Sequence, residues 1–175
     1  MKAPPGMTTT PHLVLMGDIF PTGYFAALNA FKSSTPSQIA EQTVVLIGCG
    51  PVGLCALINA LEYKPKRILA VDSVPARLDL ARDLGAEPWN FQADRDGLDA
   101  RVHEITEGRG ADAVIEVVGL SPALRMGFDL LRPWGVLSSV GVHNGEVCLF
   151  PSLPTPSFSC FLPSAAGKNT IADTV

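Results

Sequence analysis

The sequence predicts an α/β fold with a doubly wound parallel sheet, because short apolar segments alternate with segments of helical period over residues 43–150. The first apolar segment, residues 43–47, is continuous and β-branched, which is typical of a strand buried on both faces. Right-handed crossovers between parallel strands would then place helices on both faces of the sheet.

Local signals support each element of this α/β body. Pro75 and Pro122 suit the first turn of a helix, where a missing N–H is tolerated, and Gly85 suits the residue that follows a helix. The predicted strands are residues 43–47, 67–71, 89–91, 113–118 and 135–140. The predicted helices are residues 52–63, 75–84, 98–106 and 121–131.

Two further segments flank the body. Residues 1–42 are predicted to be an N-terminal segment that includes a linker helix. Residues 151–175 are predicted to be an irregular tail rich in Pro and Ser, because they show neither strand alternation nor a helical period.

The composition excludes several classes of protein. With 47% hydrophobic and 17% charged residues among 175, the chain is too apolar to be strongly disordered. A net charge of −4 without a basic run argues against a nucleic-acid partner. The apolar runs are far shorter than the roughly 20 residues of a membrane span. The four cysteines form no Cys-x-x-Cys pair, so we expect free thiols and a cytoplasmic location.

A glycine-rich turn follows the first strand. Residues 48–53 match G-x-G-x-x-G and lie between a buried strand and an apolar helix, which is the context that gives this motif meaning. Gly48 would permit the tight turn, Gly50 would let the backbone approach a pyrophosphate, and Gly53 would let the helix lie close to the strand. The pattern predicts a Rossmann-type dinucleotide-binding domain over residues 43–150.

The helix that follows the turn supplies the predicted anion site. Pro51 and Val52 open this helix, whose unpaired N–H groups and positive dipole end would face the phosphates. A missing N–H at Pro51 is tolerated in the first turn.

An acidic residue ends the second strand. Asp72 lies nineteen residues after Gly53, where a carboxylate would accept hydrogen bonds from the adenosine ribose. Its charge would repel a 2′-phosphate, so NAD is favoured over NADP. Arg77 would stack on adenine, lie near the ribose or be a surface residue of the next helix.

Two alternatives remain for the glycine turn. It could be a structural turn in another α/β protein, or the glycine loop of an S-adenosylmethionine-dependent methyltransferase. Such methyltransferases place an acidic residue just before the first glycine, whereas this chain has Val45, Leu46 and Ile47 there.

Four stretches closely resemble the zinc-dependent alcohol dehydrogenases of the medium-chain dehydrogenase/reductase superfamily. They are residues 15–24, 45–53, 71–72 and 110–119, in the family's order. Residues 18–24, Asp-Ile-Phe-Pro-Thr-Gly-Tyr, are most similar to the formaldehyde-dehydrogenase-like branch. The resemblance runs from about residue 2 to about residue 150 and implies hydride transfer between NAD and an alcohol or aldehyde.

The resemblance also implies roles for individual residues. The family counterpart of Thr22 lies near the nicotinamide, and the backbone around Val118 and from Val140 to Val142 lines the nicotinamide pocket. Asp18 occupies a position that ligates the catalytic zinc in many members.

The sequence departs from the family pattern at both ends. No Cys and His pair with ligand spacing precedes Asp18, and a catalytic zinc takes three protein ligands, so this chain alone is not expected to hold zinc. The family's sixth strand and returning helix are not found after about residue 150. We therefore expect a catalytically incomplete cofactor-binding domain that lacks its last edge strand and can self-associate through that edge. The alternative is a non-catalytic nucleotide-binding or regulatory module.

Several other residues carry expectations. Glu116 lies in a strand expected to be central, so its carboxylate needs a partner, and a backbone hydrogen bond is the simplest one. His143 follows the fifth strand, where it could contact cofactor or substrate. Four residues are expected to pack in the interior rather than to react: Cys49, Cys55, Trp89 and Trp134.

Overall fold

The computed structural model describes residues 10–143, in which five strands form one parallel sheet. The strands are β1 (Thr43–Ile47), β2 (Arg67–Asp72), β3 (Glu87–Asn90), β4 (Ala111–Glu116) and β5 (Leu131–Ser139). Their order across the sheet is β3-β2-β1-β4-β5. The winding reverses at β1, which confirms the predicted doubly wound α/β fold.

The helices of the described region precede the sheet or connect its strands. They are α1 (Thr10–Leu15), α2 (Ile19–Phe31), α3 (Pro36–Ile39), α4 (Pro51–Glu62), α5 (Pro75–Leu84), α6 (Arg95–Ile105) and α7 (Ser121–Leu130). Prolines occupy the first turns of α4, α5 and α7, and Gly85, with φ +108°, ends α5 as predicted. None of the helices within residues 10–143 is long and apolar enough to cross a bilayer.

Three strands begin earlier than predicted. β3 is Glu87–Asn90 rather than 89–91. β4 is Ala111–Glu116 rather than 113–118, and β5 begins at Leu131 rather than at residue 135. In β5 the reason is a bulge: Leu131 pairs with Ala111 and Val136 with Ala113, so residues 132–135 lie opposite Asp112 alone and three residues are extra on the β5 side. Proline and glycine in that stretch concealed the start of the strand from the sequence pattern.

The core has two layers, one on each face of the sheet. All five residues of β1 are buried, as its apolar pattern predicted. Val44 and Leu46 belong to the layer that also contains the buried faces of α2 and α4. Val45 and Ile47 belong to the layer that contains those of α6 and α7. This alternation is the two-residue period of a strand that is covered on both sides.

Helix α2 packs tightly on this body. A Cβ at Gly23 would lie 2.6 Å from the Ala56 nitrogen of α4, and the Phe31 and Tyr63 rings stack with centroids 4.7 Å apart. At the other side of α2, the Ser138 hydroxyl of β5 donates to the Ala26 carbonyl at 2.8 Å. The part of the N-terminal segment that forms α2 is therefore packed against β5 of the sheet and against α4.

Helix α4 begins against the end of β1 at a distance that leaves no room for a side chain. A Cβ on Gly53 would overlap the Gly48 oxygen and would lie 2.8 Å from the Gly48 carbonyl carbon. The neighbouring atoms are backbone, so they cannot rotate away. Gly53 therefore has the close-packing role predicted for it.

Substitution of Gly53 by Ala should destabilise the domain. The added methyl forces α4 away from β1, and overpacking of this kind costs about 1–3 kcal/mol or more. We expect the thermal midpoint to fall by several degrees in a melt followed by circular dichroism. The matched control is Gly50→Ser, whose side chain meets no atom within 4 Å and suits the position before a helix. Equal destabilisation by both variants would contradict the packing argument.

Candidate functional site

The carboxyl ends of four neighbouring strands bring the predicted site residues to one edge of the sheet. Gly48 follows β1, Asp72 ends β2, Val118 follows β4 and Val140 follows β5. Since β1 lies between β2 and β4, its glycine turn is flanked on both sides at the point where the winding reverses. Open α/β sheets bind ligands at this kind of position.

The glycine turn packs against the loop that follows β4. Gly48 has φ +98°, and a Cβ there would lie 2.8 Å from Val118 Cγ2. The left-handed conformation is the one that favours glycine, as the tight turn requires. Val118 therefore borders the turn directly.

Gly50 differs from the other two motif glycines, because no protein packing requires it. It precedes α4 in an extended conformation, and a Cβ there would meet no atom within 4 Å. Pro51 and Val52 then form the first turn of α4, with Pro51 exposed. The space beside Gly50 is open, and the unpaired N–H groups at the start of this helix can receive an anion.

The Asp72 carboxylate ties the end of β2 to the glycine turn. It is buried, and its Oδ2 accepts a hydrogen bond from the Cys49 N–H at 2.7 Å. Its Oδ1 accepts from the N–H groups of Ser73 and Val74 at 2.7 and 2.9 Å. A carboxylate offers about four acceptor positions, so one position remains for a further donor. The sequence located Asp72 but did not predict its bond to Cys49.

Arg77 lies at the rim of this site. Its Nη1 is 3.8 Å from Asp72 Oδ2, and its side chain is about half exposed. The guanidinium therefore lies within ion-pair distance of the carboxylate while part of it remains in water.

The loops after β4 and β5 touch each other. A Cβ on Gly119 would lie 2.6 Å from the Val142 nitrogen, and the Val140 N–H donates to the Glu116 carbonyl at 3.0 Å. Val118 is 43% exposed and Val142 is 73% exposed, while Val140 packs against the core on the side of α2 and α4. Two apolar side chains are thus presented to solvent by the loops that follow β4 and β5.

Glu116 lies beneath these loops and is fully buried. Its Oε1 accepts hydrogen bonds from the N–H groups of Val118 and Gly119 at 2.8 and 2.7 Å, which confirms the expected backbone partner. Its Oε2 accepts from the Ser139 hydroxyl at 2.6 Å and lies 3.3 Å from His143 Nε2. The sequence analysis missed Ser139. The available signal was the pair of serines, 138 and 139, that follows the apolar residues Val136 and Leu137.

Thr22 lies in the first turn of α2. Its hydroxyl donates to Asp18 Oδ1 at 3.0 Å, and its N–H donates to the Asp18 carbonyl at 2.9 Å. Gly23, the next residue, is the point at which α2 approaches α4. Thr22 therefore lies in α2 directly before the point at which this helix contacts α4.

The described residues do not provide the ligand set of a catalytic zinc. Within residues 10–143, no group of three or more His, Cys, Asp or Glu side chains could hold a metal ion. Asp18, the position that resembles a zinc ligand, accepts the Thr22 hydroxyl instead. A catalytic zinc takes three protein ligands, so this part of the chain does not fit one.

The thiol of Cys49 lies in an environment that disfavours its thiolate. It is fully buried within the glycine turn, and burial together with the negative charge of Asp72 raises its pKa to about 12, although Arg77 partly offsets the rise. Burial also raises the pKa of Cys55 on α4. Both observations agree with the expected packing roles.

Of the two tryptophans, only Trp89 packs as predicted. Trp89 packs against the core layer of α6 and α7, and its Nε1 donates to the Asp94 carbonyl at 2.8 Å. The prediction for Trp134 was wrong: this residue is 96% exposed and has φ +63° in the bulge of β5. A left-handed conformation at a bulky residue is unusual, and the bulge turns the side chain into solvent instead of the core.

Trp134 borders a groove at the opposite end of the sheet from the glycine turn. The groove has a volume of about 530 Å³, and Arg109, Arg132 and Asp112 also line it. Both guanidiniums already pair with Asp112, at 3.5 and 2.7 Å. This groove contains none of the predicted cofactor residues.

Comparison with known proteins gives a consistent result. The sequence profile of the zinc-binding dehydrogenase family matches residues 51–163, which extends beyond the position near 150 where we expected the resemblance to end. The chain is 80% identical over 147 residues to the zinc-type alcohol dehydrogenase B of Aspergillus flavus, covering 84% of this chain and 34% of that relative. It is 51% identical over 147 residues to the medium chain reductase/dehydrogenase ucsI of Acremonium sp, covering 84% and 50%.

Solved structures agree with the sequence relatives. The alcohol dehydrogenase TADH of Thermus sp. ATN1 superposes with a TM-score of 0.71 at 34% identity, covering 90% of this chain and 42% of that chain. The alcohol dehydrogenase of Aeropyrum pernix gives a TM-score of 0.71 at 28% identity, covering 86% and 42%. This chain thus spans between about a third and a half of the length of these relatives.

Cys49 should resist alkylation as long as the domain is folded. Relative to an ordinary thiol, a pKa near 12 lowers the thiolate fraction at pH 8 roughly 1,000-fold, and burial blocks access as well. We expect iodoacetamide at pH 8 to leave Cys49 unlabelled in the native protein and to label it after denaturation in urea, as read by peptide mass spectrometry. Rapid labelling of the native protein at Cys49 would show that the turn opens readily.

Proposed function

Since this chain belongs to the zinc-binding dehydrogenase family, we propose that it binds NAD at the carboxyl ends of its strands for hydride transfer with an alcohol or aldehyde. The observation that carries the proposal is the open space beside Gly50 at the start of α4, with the Asp72 carboxylate at the end of the adjacent strand. A glycine that packing does not require, at a helix N-terminus, suits a group that approaches the backbone closely.

The adenosine and phosphate half of NAD would lie on β1 and β2. The N–H groups at the start of α4, from Val52 onward, would hold the pyrophosphate beside Gly50. Asp72 would accept a ribose hydroxyl through its remaining acceptor position. Its bond from Cys49 at 2.7 Å fixes the carboxylate relative to the turn before the cofactor arrives, which reduces the ordering cost of binding.

The charge of Asp72 supports NAD over NADP. This carboxylate is buried, so a 2′-phosphate on the same ribose would meet a negative charge in a poorly solvated site. Arg77 at 3.8 Å is its nearest cation, but this guanidinium is half exposed and already shared with the carboxylate. We infer that Arg77 borders the ribose and does not reverse the preference of the site for NAD over NADP.

The nicotinamide half would lie over the loops after β4 and β5. Val118 and Val142 offer exposed apolar side chains, and Val140 and Thr22 complete the set that the resemblance assigns to this half. Bound NAD would supply the hydride acceptor. The described residues would bind it, orient the ring and shield one side of it from water.

Two finer assignments accompany this proposal. The similarity of residues 18–24 to the formaldehyde-dehydrogenase-like branch supports membership of that branch. The free thiols of Cys49 and Cys55 support a cytoplasmic setting, where such thiols stay reduced.

We also propose that the chain self-associates through β5. In the described part of the chain β5 pairs only with β4, so its outer edge carries unpaired N–H and C=O groups. Trp134 stands on this edge strand almost fully exposed, and exposed tryptophan is characteristic of contact surfaces.

Binding of NAD should raise the melting temperature of the purified chain. A ligand at 100 times its Kd adds about 2.7 kcal/mol, which corresponds to several degrees for a domain of this size. We expect a clear shift with NAD and a smaller one or none with NADP or S-adenosylmethionine.

Gly50→Ser should keep the wild-type midpoint without ligand and lose the NAD shift, because its side chain occupies the pyrophosphate position. A shift with S-adenosylmethionine alone would reject the proposal.

Replacement of Trp134 by Ser should weaken self-association. The variant removes the exposed indole from the β5 edge, so we expect a lower average mass by light scattering at roughly tens of micromolar, where weak association is populated. The matched control is Leu80→Ser, which removes an exposed apolar side chain from α5. A wild-type chain that is monomeric at these concentrations would contradict the proposed association.

A further inference from the structure

We infer that Glu116 is a positioning residue for the nicotinamide half of the cofactor: its buried carboxylate fixes the two loops that present Val118 and Val142. This inference rests on the proposed NAD binding and assigns a function to a residue that would otherwise be a strand carboxylate with a backbone partner.

The first step is the number of groups that one carboxylate holds. Oε1 accepts from the N–H groups of Val118 and Gly119 at 2.8 and 2.7 Å, so it fixes the loop after β4. Oε2 accepts from the Ser139 hydroxyl at 2.6 Å and lies 3.3 Å from His143 Nε2, so it fixes the loop after β5. Each oxygen serves a different strand end, and the glutamate links the two loops.

The second step is the direction of these hydrogen bonds. The Ser139 hydroxyl gives its proton to Glu116, so its oxygen can accept from His143 Nε2 at 3.1 Å. His143 is therefore assigned the tautomer with its proton on Nε2. Its N–H donates to the Ser139 oxygen, and Glu116 itself accepts three hydrogen bonds, from Val118, Gly119 and Ser139. A fully buried carboxylate needs such complete pairing.

The third step is the contact between the two loops. Gly119 N–H is bound by Glu116, and a Cβ on Gly119 would lie only 2.6 Å from the Val142 nitrogen. A shift of either loop would thus move the other. Val118 also lies against the glycine turn, since a Cβ on Gly48 would be 2.8 Å from Val118 Cγ2. Glu116 therefore sets the position of the apolar surface relative to the phosphate site.

The fourth step separates Glu116 from the adenosine half. Asp72 ends β2, which lies on the opposite side of β1 from β4, and the hydrogen bonds of its carboxylate do not involve Glu116. Loosening the loops after β4 and β5 should leave that half of the site in place. The inference therefore predicts a selective effect that depends on which part of the cofactor a ligand contains.

The test compares NAD with ADP-ribose, which lacks the nicotinamide, by isothermal titration of the full chain. Glu116→Gln places an amide NH₂ against one pair of donors, so it should release one of the two loops that the carboxylate holds. We expect this variant to bind NAD about tenfold more weakly, while its affinity for ADP-ribose stays within about twofold of wild type.

Two serines on the same strand give a matched pair. Ser139→Ala removes a hydroxyl that contacts Glu116, whereas Ser138→Ala removes one that donates to Ala26 on the other side of the strand. We expect Ser139→Ala to lower the affinity for NAD relative to ADP-ribose, and Ser138→Ala to leave the ratio unchanged. If Glu116→Gln does not fold, this serine pair carries the test.

The outcomes separate this inference from the proposed function. Equal losses for both ligands in Glu116→Gln or Ser139→Ala, or a wild-type chain that binds ADP-ribose as tightly as NAD, would overturn the positioning role and leave dinucleotide binding intact. A folded wild-type chain that binds neither ligand would overturn the proposed function, and this inference with it.

Discussion

The approach of α4 to the end of β1 is the constraint on which the rest of the structure depends. Gly53 of the helix lies so close to the Gly48 carbonyl that a single methyl group would overlap it. At this distance the Cys49 N–H reaches the Asp72 carboxylate of the next strand at 2.7 Å. A wider separation would disturb the helix start and the turn together, so the contact that packs α4 on the core also shapes the proposed anion site.

Buried carboxylates connect neighbouring strands at both ends of the sheet. At the amino ends, Asp112 accepts from the Thr43 N–H at 2.9 Å and from Arg132 at 2.7 Å, so a guanidinium offsets its charge. At the carboxyl ends, Asp72 and Glu116 are held largely by neutral donors, mostly backbone N–H groups. Buried carboxylates thus link neighbouring strands at the amino ends of the sheet, and at the carboxyl ends they fix the loops that follow the strands.

The sequence predicted those parts of the fold and the site that depend on local pattern. β1, the glycine turn and the position of Asp72 follow from a continuous apolar run, three glycines and a fixed spacing. The full set of Glu116 partners was not predictable, because Ser139 and His143 are brought near it only by the register of β4 with β5. The exposure of Trp134 was missed for a related reason, since periodicity reveals neither a bulge nor a left-handed backbone at a tryptophan.

The two halves of the candidate site meet where Val118 packs against Gly48. The proposed phosphate and ribose positions lie at β1 and β2, while the loops that carry Val118 and Val142 follow β4 and β5. Between them stands Gly48, whose missing side chain leaves the space that Val118 occupies. The proposed phosphate and ribose positions therefore depend on Asp72 and the start of α4, and the loops proposed for the nicotinamide depend on the hydrogen bonds of Glu116. In the proposed complex, separate sets of hydrogen bonds would therefore hold the phosphate half of the dinucleotide and the loops beneath its reactive ring.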